Sequence, residues 1–336
     1  MRIGFYATRS IVKDAEAIRH EIIGGRTWNV FGQSSGGEVV YRYIEVAPGG
    51  IRSAFVHGSS LMSDPIEWIK LRLASQRRVA AQYFRRYPGD EELLAQVRAL
   101  ITPDTCFSDG TSRVCGPAVI DAVSLYLGYR NSWQALHHQI SGFFLTGPDG
   151  LQRGLNRTEL RRFVRNAIYG VFLQNDYAAS VITQREKLAG VVESGPTDPL
   201  GCRRARERLA AEGTDPAGWA IDECRLLTAI RSPWDPVVRR LSGSDPILIS
   251  RVLRGLRAQP GIDLYVYAGE YDTFSPTESY HEQQEALGDH MTFRKYAGSG
   301  HEGYYTEATV WSDISRHLHP LIDFPDFRPS EADFPF

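Results

Sequence analysis

At 336 residues the chain is long enough for a large buried core and one or two domains. A hydrophobic share of 42%, a charged share of 23% and a net charge of -2 are ordinary for a globular protein. They remove the electrostatic case for a nucleic-acid or anionic-membrane partner. No apolar run approaches the ~20 residues that a membrane-spanning helix needs. Met1-Arg2-Ile3-Gly4-Phe5-Tyr6 is too short and polar for a secretory leader, so the expected location is cytoplasmic.

Taken in order, the chain first predicts an amphipathic helix over Ser10–Ile23, with Ser10 as cap and Ile11, Ala15, Ile18 and Ile22 on one face. Gly24-Gly25 ends it. Trp28–Phe31 is a short apolar run that predicts a buried strand, and Gly36–Ile44 predicts a helix. Between them stands Gly32-Gln33-Ser34-Ser35-Gly36, a G-x-S-x-G turn. Ile51–His57 predicts the next strand, and strand-helix-strand with short loops implies parallel pairing.

From about Ser60 to Arg231 the pattern becomes helical and strands are hard to find. Asp64 can cap a helix with Pro65 at its first position, running to Arg86. Further helices are expected over Asp90–Ile101, Gly116–Tyr126, Trp133–Phe144, Thr158–Leu173, Tyr177–Val192 and Gly201–Glu212. Strand character returns at Ile262–Ala268 and Met291–Tyr296, with a helix from about Pro276 to Leu287 between them. Thr306–Leu321 predicts a last helix before a Pro- and Phe-rich tail. The expected division is a partial α/β core over 1–60 and 232–322, a helical lid over 61–231 and a tail over 323–336. Cys106, Cys115, Cys202 and Cys224 form no C-x-x-C pair, which argues against zinc. They fit two sequence-local disulfides or four thiols equally well. Asn156-Arg157-Thr158 is a glycosylation sequon of a kind frequent by chance.

The chemistry is concentrated at three strand ends. A serine hydroxyl needs a base to attack at neutral pH, and the base needs a carboxylate to fix its tautomer. Ser34 sits in the sharp turn, and the next helix aims the Ser35 backbone N–H at a developing oxyanion. Gly269-Glu270-Tyr271-Asp272 follows one late strand, and Gly298-Ser299-Gly300-His301 follows the next. Order and placement give Asp272 as the acid and His301 as the base. Asp272 can alternatively serve a turn or cap, Glu270 competes for the acid role, and His301 can be an exposed loop histidine. His137 and His138 lie in the helical block, away from such placement. Gly298-x-Gly300-x-x-Gly303 matches a dinucleotide fingerprint but has no following strand-helix-strand unit. His281-Glu282-Gln283-Gln284-Glu285 begins like a zinc motif but carries Glu where the second His belongs. No metal or organic cofactor is expected.

These residues resemble the proline iminopeptidase branch of the α/β-hydrolases. Arg9–Arg19 and Trp28–Gly37 are similar to the helix and nucleophile segment of that family, and Tyr83–Asp90 and Ala167–Gly170 to stretches of its helical lid. The resemblance implies an α/β-hydrolase sheet with an inserted lid, an acyl-enzyme route, and release of N-terminal proline from small peptides. It also implies acidic lid residues that hold the substrate's free amine. Asn166 stands where a lid glutamate is expected, and Glu223 is the other substrate-binding candidate. Family members carry further strands and a His-Gly-Gly-Pro-Gly loop before the nucleophile, and residues 1–33 contain neither. The resemblance therefore implies a core lacking its N-terminal strands, open to a complementing N-terminal chain or a homo-oligomer. The competing readings are an esterase or amidase for small acyl compounds, and a non-catalytic or truncated remnant.

Overall fold

The computed structural model describes residues 7–108, 113–116, 120, 123, 126–149, 152–168, 202–213, 230–231, 246–303 and 307–318. Its elements begin with α1 (Thr8–Ile23), β1 (Trp28–Gln33), α2 (Ser35–Val46), β2 (Ile51–His57), α3 (Pro65–Arg86) and α4 (Pro88–Leu100). Then come β3 (Cys106–Ser108), β4 (Arg113–Cys115), α5 (Trp133–Ser141), β5 (Phe144–Thr146), β6 (Gln152–Leu155), α6 (Arg157–Ile168), α7 (Cys202–Ala211) and β7 (Ile230–Arg231). The last are α8 (Ile249–Ala258), β8 (Asp263–Gly269), α9 (His281–Leu287), β9 (Met291–Tyr296) and α10 (Ala308–Leu318). The chain divides into two compact units. One comprises Met1–Arg72, Ile182–Glu193 and Leu241–Pro335, the other Leu73–Val181, Ser194–Arg240 and Phe336.

The first unit is built on a parallel sheet in the order β1-β2-β8-β9. Side chains alternate between its faces, so each strand contributes to two cores. Ala54, Val56, Leu264, Val266 and Ala268 pack with Tyr41 and Ile44 of α2, Val252 and Leu256 of α8, and Leu287 of α9. Phe55 and Tyr267 point the other way, onto Val310 and Ile314 of α10. The result is a sheet covered by helices on both faces, as parallel sheets require.

The first helix departs from its expected form. It starts at Thr8, with Ala7 at the cap position, so Ser10 lies inside the first turn. Its buried residues are Thr8, Val12 and Arg19, while Ile11, Ile18 and Ile22 are 40%, 50% and 75% exposed. The cause is polar docking onto α2. The buried Arg42 donates to Thr8 Oγ1 at 3.1 Å and pairs with Glu45 at 2.6 Å, and Tyr43 hydrogen-bonds Glu16.

Helix α8 had no sequence-based expectation. It packs so closely on α2 that a Cβ on Gly255 would collide with the main-chain carbonyl of Ile44. Gly255→Ala should therefore lower stability by about 1–3 kcal/mol through overpacking. That exceeds the ~1 kcal/mol that alanine adds to helix propensity. The urea midpoint of unfolding measures the balance, and a rise would contradict this packing.

Asp64 caps α3 as expected, its Oδ1 accepting from the Ile66 N–H at 2.8 Å. The 276–287 segment starts as a 3-10 turn over Thr277–Tyr280 before becoming α9.

The second unit is not purely helical, which corrects the expectation for this region. β3, β4 and β7 form a small antiparallel sheet, and β5 pairs with β6. Cys106 and Cys115 face each other across β3–β4 in a disulfide. The helix expected over Trp133–Phe144 ends at Ser141, and Phe144 begins β5. Asn156 of the sequon uses its side chain to accept from the Glu159 N–H at the start of α6. Tyr83, Trp133, Leu136, Ile140, Phe143 and Phe163 fill this unit's core. His137 pairs with the buried Asp90 at 2.9 Å. Most of Gly116–Tyr126, all of Tyr177–Val192 and the tail lie outside the described residues. Among the described residues no helix is long and apolar enough to cross a membrane.

Candidate active site

Ser34 lies between β1 and α2 with φ 53° and ψ -122°. Among the described residues it is the one non-glycine with positive φ. Such a conformation costs an L-residue about 1–3 kcal/mol and persists only where its surroundings impose it. Here they do. The Ser34 N–H donates to the His57 carbonyl at 2.9 Å, and the Gly37 N–H donates to the Ser34 carbonyl at 2.9 Å. A Cβ on Gly32 would overlap the Gly36 carbonyl, and one on Gly37 would stand 2.6 Å from Ser59 Cβ and 2.8 Å from Val56 Cγ1. Gly32 lets the turn fold on itself and Gly37 lets it close against β2, while a Cβ on Gly36, the second glycine of the motif, would meet nothing within 4 Å. Ser35 opens α2, whose first backbone N–H groups have no acceptor within the helix.

The other groups arrive from the far side of the sheet. Parallel strands are spaced about 4.8 Å apart, so β9 runs roughly 14 Å from β1. The loop after β9 folds back to cover that distance. The Tyr271 N–H donates to the Ser299 carbonyl at 2.9 Å, which pins the loop over the end of β8. A Cβ on Gly269 would be 2.7 Å from that same carbonyl. Gly303 brings the loop over β2, where its added Cβ would stand 3.3 Å from His57 Nε2. Gln33, next to the serine, donates its side-chain amide to the His301 carbonyl at 3.3 Å.

His301 and Asp272 meet at the end of this path. His301 Nδ1 is 2.8 Å from Asp272 Oδ2, with the residues 3% and 0% exposed. Asp272 Oδ1 accepts from the Phe274 and Ser275 N–H groups at 2.8 and 2.9 Å. Both carboxylate oxygens are thus directed, one to the imidazole and one to its own loop. Glu270, the competing acid, accepts instead from the Gly298 N–H at 2.9 Å. Gly58 closes the back of the pair. Its φ is 62°, and a Cβ there would be 2.9 Å from His301 Nδ1 and 3.1 Å from Asp272 Oδ2.

Sequence reasoning missed His57. It is fully buried at the end of β2, close enough to His301 and Asp272 to interact electrostatically with both. Burial first, then the positive potential of the His301 ring, push its imidazole from 6.5 down to about 3, against an opposing pull from Asp272. Its strand-end position before a glycine was the signal available in the sequence.

The sign of the pH effect follows directly. Between 6.5 and about 3 the unfolded chain binds a proton at His57 that the folded chain does not, so stability falls as pH falls through that window. The slope from this group approaches about 1.4 kcal/mol per pH unit. His57→Gln should flatten the unfolding free energy measured from pH 6.5 to 5. An unchanged slope would place the acid sensitivity elsewhere.

Of the substrate-binding candidates, Asn166 lies on α6 in the other unit, and Glu223 falls outside the described residues. The glycine fingerprint is the return loop itself, and its Gly298 has φ 77°. Glu282 of the zinc-like sequence accepts from the Ser63 N–H at 3.0 Å. Among the described residues no group of three or more His, Cys, Asp or Glu side chains is arranged to hold a metal.

The parallel sheet, the strained serine between β1 and α2, and the acid and histidine loops after β8 and β9 make this an α/β-hydrolase-type fold. No family model matches the chain, and no curated protein matches it. Among solved structures it is similar to a proline iminopeptidase of Mycobacterium smegmatis, with 14% identity, 95% of this chain and 74% of that chain covered, and a TM-score of 0.36. It is also similar to MGS-M2, an α/β-hydrolase enzyme from a Medee basin deep-sea metagenome library, with 11% identity, 95% and 74% covered, and a TM-score of 0.37. For esterase E22 the values are 13%, 93% and 66%, and 0.38.

Proposed function

We propose that the chain is a serine hydrolase in which Ser34 is the nucleophile, His301 the general base and acid, and Asp272 the orienting carboxylate. The observation that carries this reading is the buried 2.8 Å contact of His301 Nδ1 with Asp272 in the unit that holds Ser34 in its strained turn. With Asp272 fixing the proton on Nδ1, Nε2 takes the Ser34 hydroxyl proton as Oγ attacks a substrate carbonyl. The Ser35 N–H, at the positive end of α2, donates to the oxyanion. Collapse breaks the bond to the leaving amine or alcohol, which takes the proton from His301. Water, deprotonated by the same imidazole, then hydrolyses the acyl-Ser34 ester and regenerates the enzyme.

The substrate class we favour is a small peptide with N-terminal proline, on the strength of the motif resemblance around the elbow. A small ester or amide is the second reading, supported by the buried His301–Asp272 pair, which serves acyl transfer whatever the leaving group. A fluorophosphonate probe tests the chemistry. An adduct on Ser34 is expected, and its absence from folded protein would overturn the reading. Comparing kcat/KM for proline nitroanilide and short-chain nitrophenyl esters separates the two substrates.

A further inference from the structure

Asp272 is oriented by its own loop, and the loop has to be held in turn. Its two amide donors, Phe274 and Ser275, lie within three residues of the carboxylate, so they fix the carboxylate to the loop but not the loop to the sheet. Besides His301 itself, Arg72 of α3 meets the loop from another element. It is 5% exposed, on the part of α3 belonging to the same compact unit.

Arg72 touches two successive residues of this loop. Its Nε donates to the Thr273 carbonyl at 3.1 Å. Its guanidinium carbon also lies 5.3 Å from the centre of the Phe274 ring. The same guanidinium stands 5.1 Å from the Trp68 ring, one helical turn earlier on α3. The Phe274 ring in turn contacts the His301 imidazole, with centroids 4.7 Å apart and planes inclined at 38°. A planar cation is thus held against Trp68 and Phe274 while its edge binds the chain beside Asp272. The arrangement needs the guanidinium fork and its flat face together, which an ammonium lacks. A buried contact of this type is stronger than one at the surface.

We infer that Arg72 is a positioning residue: it locks the Asp272–Ser275 loop and, through Phe274, sets the tilt of the His301 ring. The inference rests on the hydrolase reading for its kinetic consequences only, since the contact of His301 with Asp272 can be followed without turnover. Displacing catalytic groups by about 1 Å costs on the order of 100-fold in rate.

Arg72→Met, Arg72→Lys and Phe274→Leu test it by two readouts. The first is kinetic, with kcat and KM for a nitrophenyl ester and the rate of fluorophosphonate labelling. For Arg72→Met, kcat and labelling should fall by about 10- to 100-fold with KM within twofold, because alignment rather than binding is lost. Arg72→Lys should recover only part of the loss, because charge alone does not restore the fork. The second is the low-field proton resonance of His301 Nδ1–H, assigned by its loss in Asp272→Asn. It should broaden or shift in Arg72→Met and in Phe274→Leu. An unchanged resonance and unchanged kcat in folded Arg72→Met would overturn the inference. If that variant does not fold, the same comparison in Arg72→Lys and Phe274→Leu decides. A wild-type protein with neither turnover nor labelling would sink the hydrolase reading, and the resonance would then decide the role of Arg72 alone.

Discussion

Ser34→Ala should abolish labelling by a fluorophosphonate and lower kcat on the order of 10⁶-fold, with KM and unfolding temperature near wild type. Only the hydroxyl is removed. Serine already bears a Cβ at φ 53°, so alanine adds no backbone strain and fills the same turn between Gly32 and Gly37. The half-buried hydroxyl has no structural hydrogen bond to lose to its own turn, since the turn is closed by main-chain contacts to His57 and Gly37. Ser34→Gly adds a useful contrast. Glycine relieves about 1–3 kcal/mol of conformational strain and returns about 0.5–1 kcal/mol as chain entropy. It should therefore be inactive yet no less stable than wild type. A Ser34→Ala protein that retains turnover would remove this serine from the chemistry, whatever its backbone conformation.

Asp272→Asn should cost about 10⁴-fold in kcat while leaving the fold intact. The reason lies in how the carboxylate is shared. Oδ1 accepts two amide N–H groups, from Phe274 and Ser275, and an amide nitrogen cannot replace an oxygen there without setting donors against donors. In the variant the oxygen must keep that place, which turns the new NH₂ toward His301. The imidazole answers by presenting a lone pair at Nδ1 and carrying its proton on Nε2. In that tautomer Nε2 cannot accept a proton from Ser34. The same low-field resonance of His301 should vanish. Asp272→Asn with a turnover within tenfold of wild type would show that Glu270 or another acid orients the base.

The legible parts of this molecule were those in which the backbone demands a particular residue. Gly32 was visible because a side chain there would strike the Gly36 carbonyl, whereas the crowding expected at Gly36 falls instead on Gly37, beside Ser59 and Val56. Asp64 set the start of α3 because its carboxylate accepts from the Ile66 N–H in the first turn. The pairing of Asp272 with His301 could be expected from their places after two successive parallel strands. Other features depended on tertiary partners. β3, β4, β5, β6 and β7 have two to four residues each, too few for alternation to register. α8 carries Ile249, Val252, Leu253 and Leu256 at helical spacing, but Gly255 weakens its local signal, and the reason for that glycine is the carbonyl of Ile44. The isoleucines of the α1 stripe do not mark the side that packs: of that stripe Ala15 meets the core, beside Val12, and Arg42 and Tyr43 dock the helix through Thr8 and Glu16. His57 and Arg72 were overlooked because their roles come from neighbours more than 200 positions away.

The order β1-β2-β8-β9 has one more implication. The hydroxyl and the imidazole ride on opposite margins of the sheet, and the carboxylate comes from an inner strand. Margins breathe more readily than centres, since among the described residues each has a single neighbouring strand. In the proposed mechanism, the distance between the Ser34 hydroxyl and the His301 ring therefore depends on the width and twist of the whole platform, and on whatever grips the outer edge of β1.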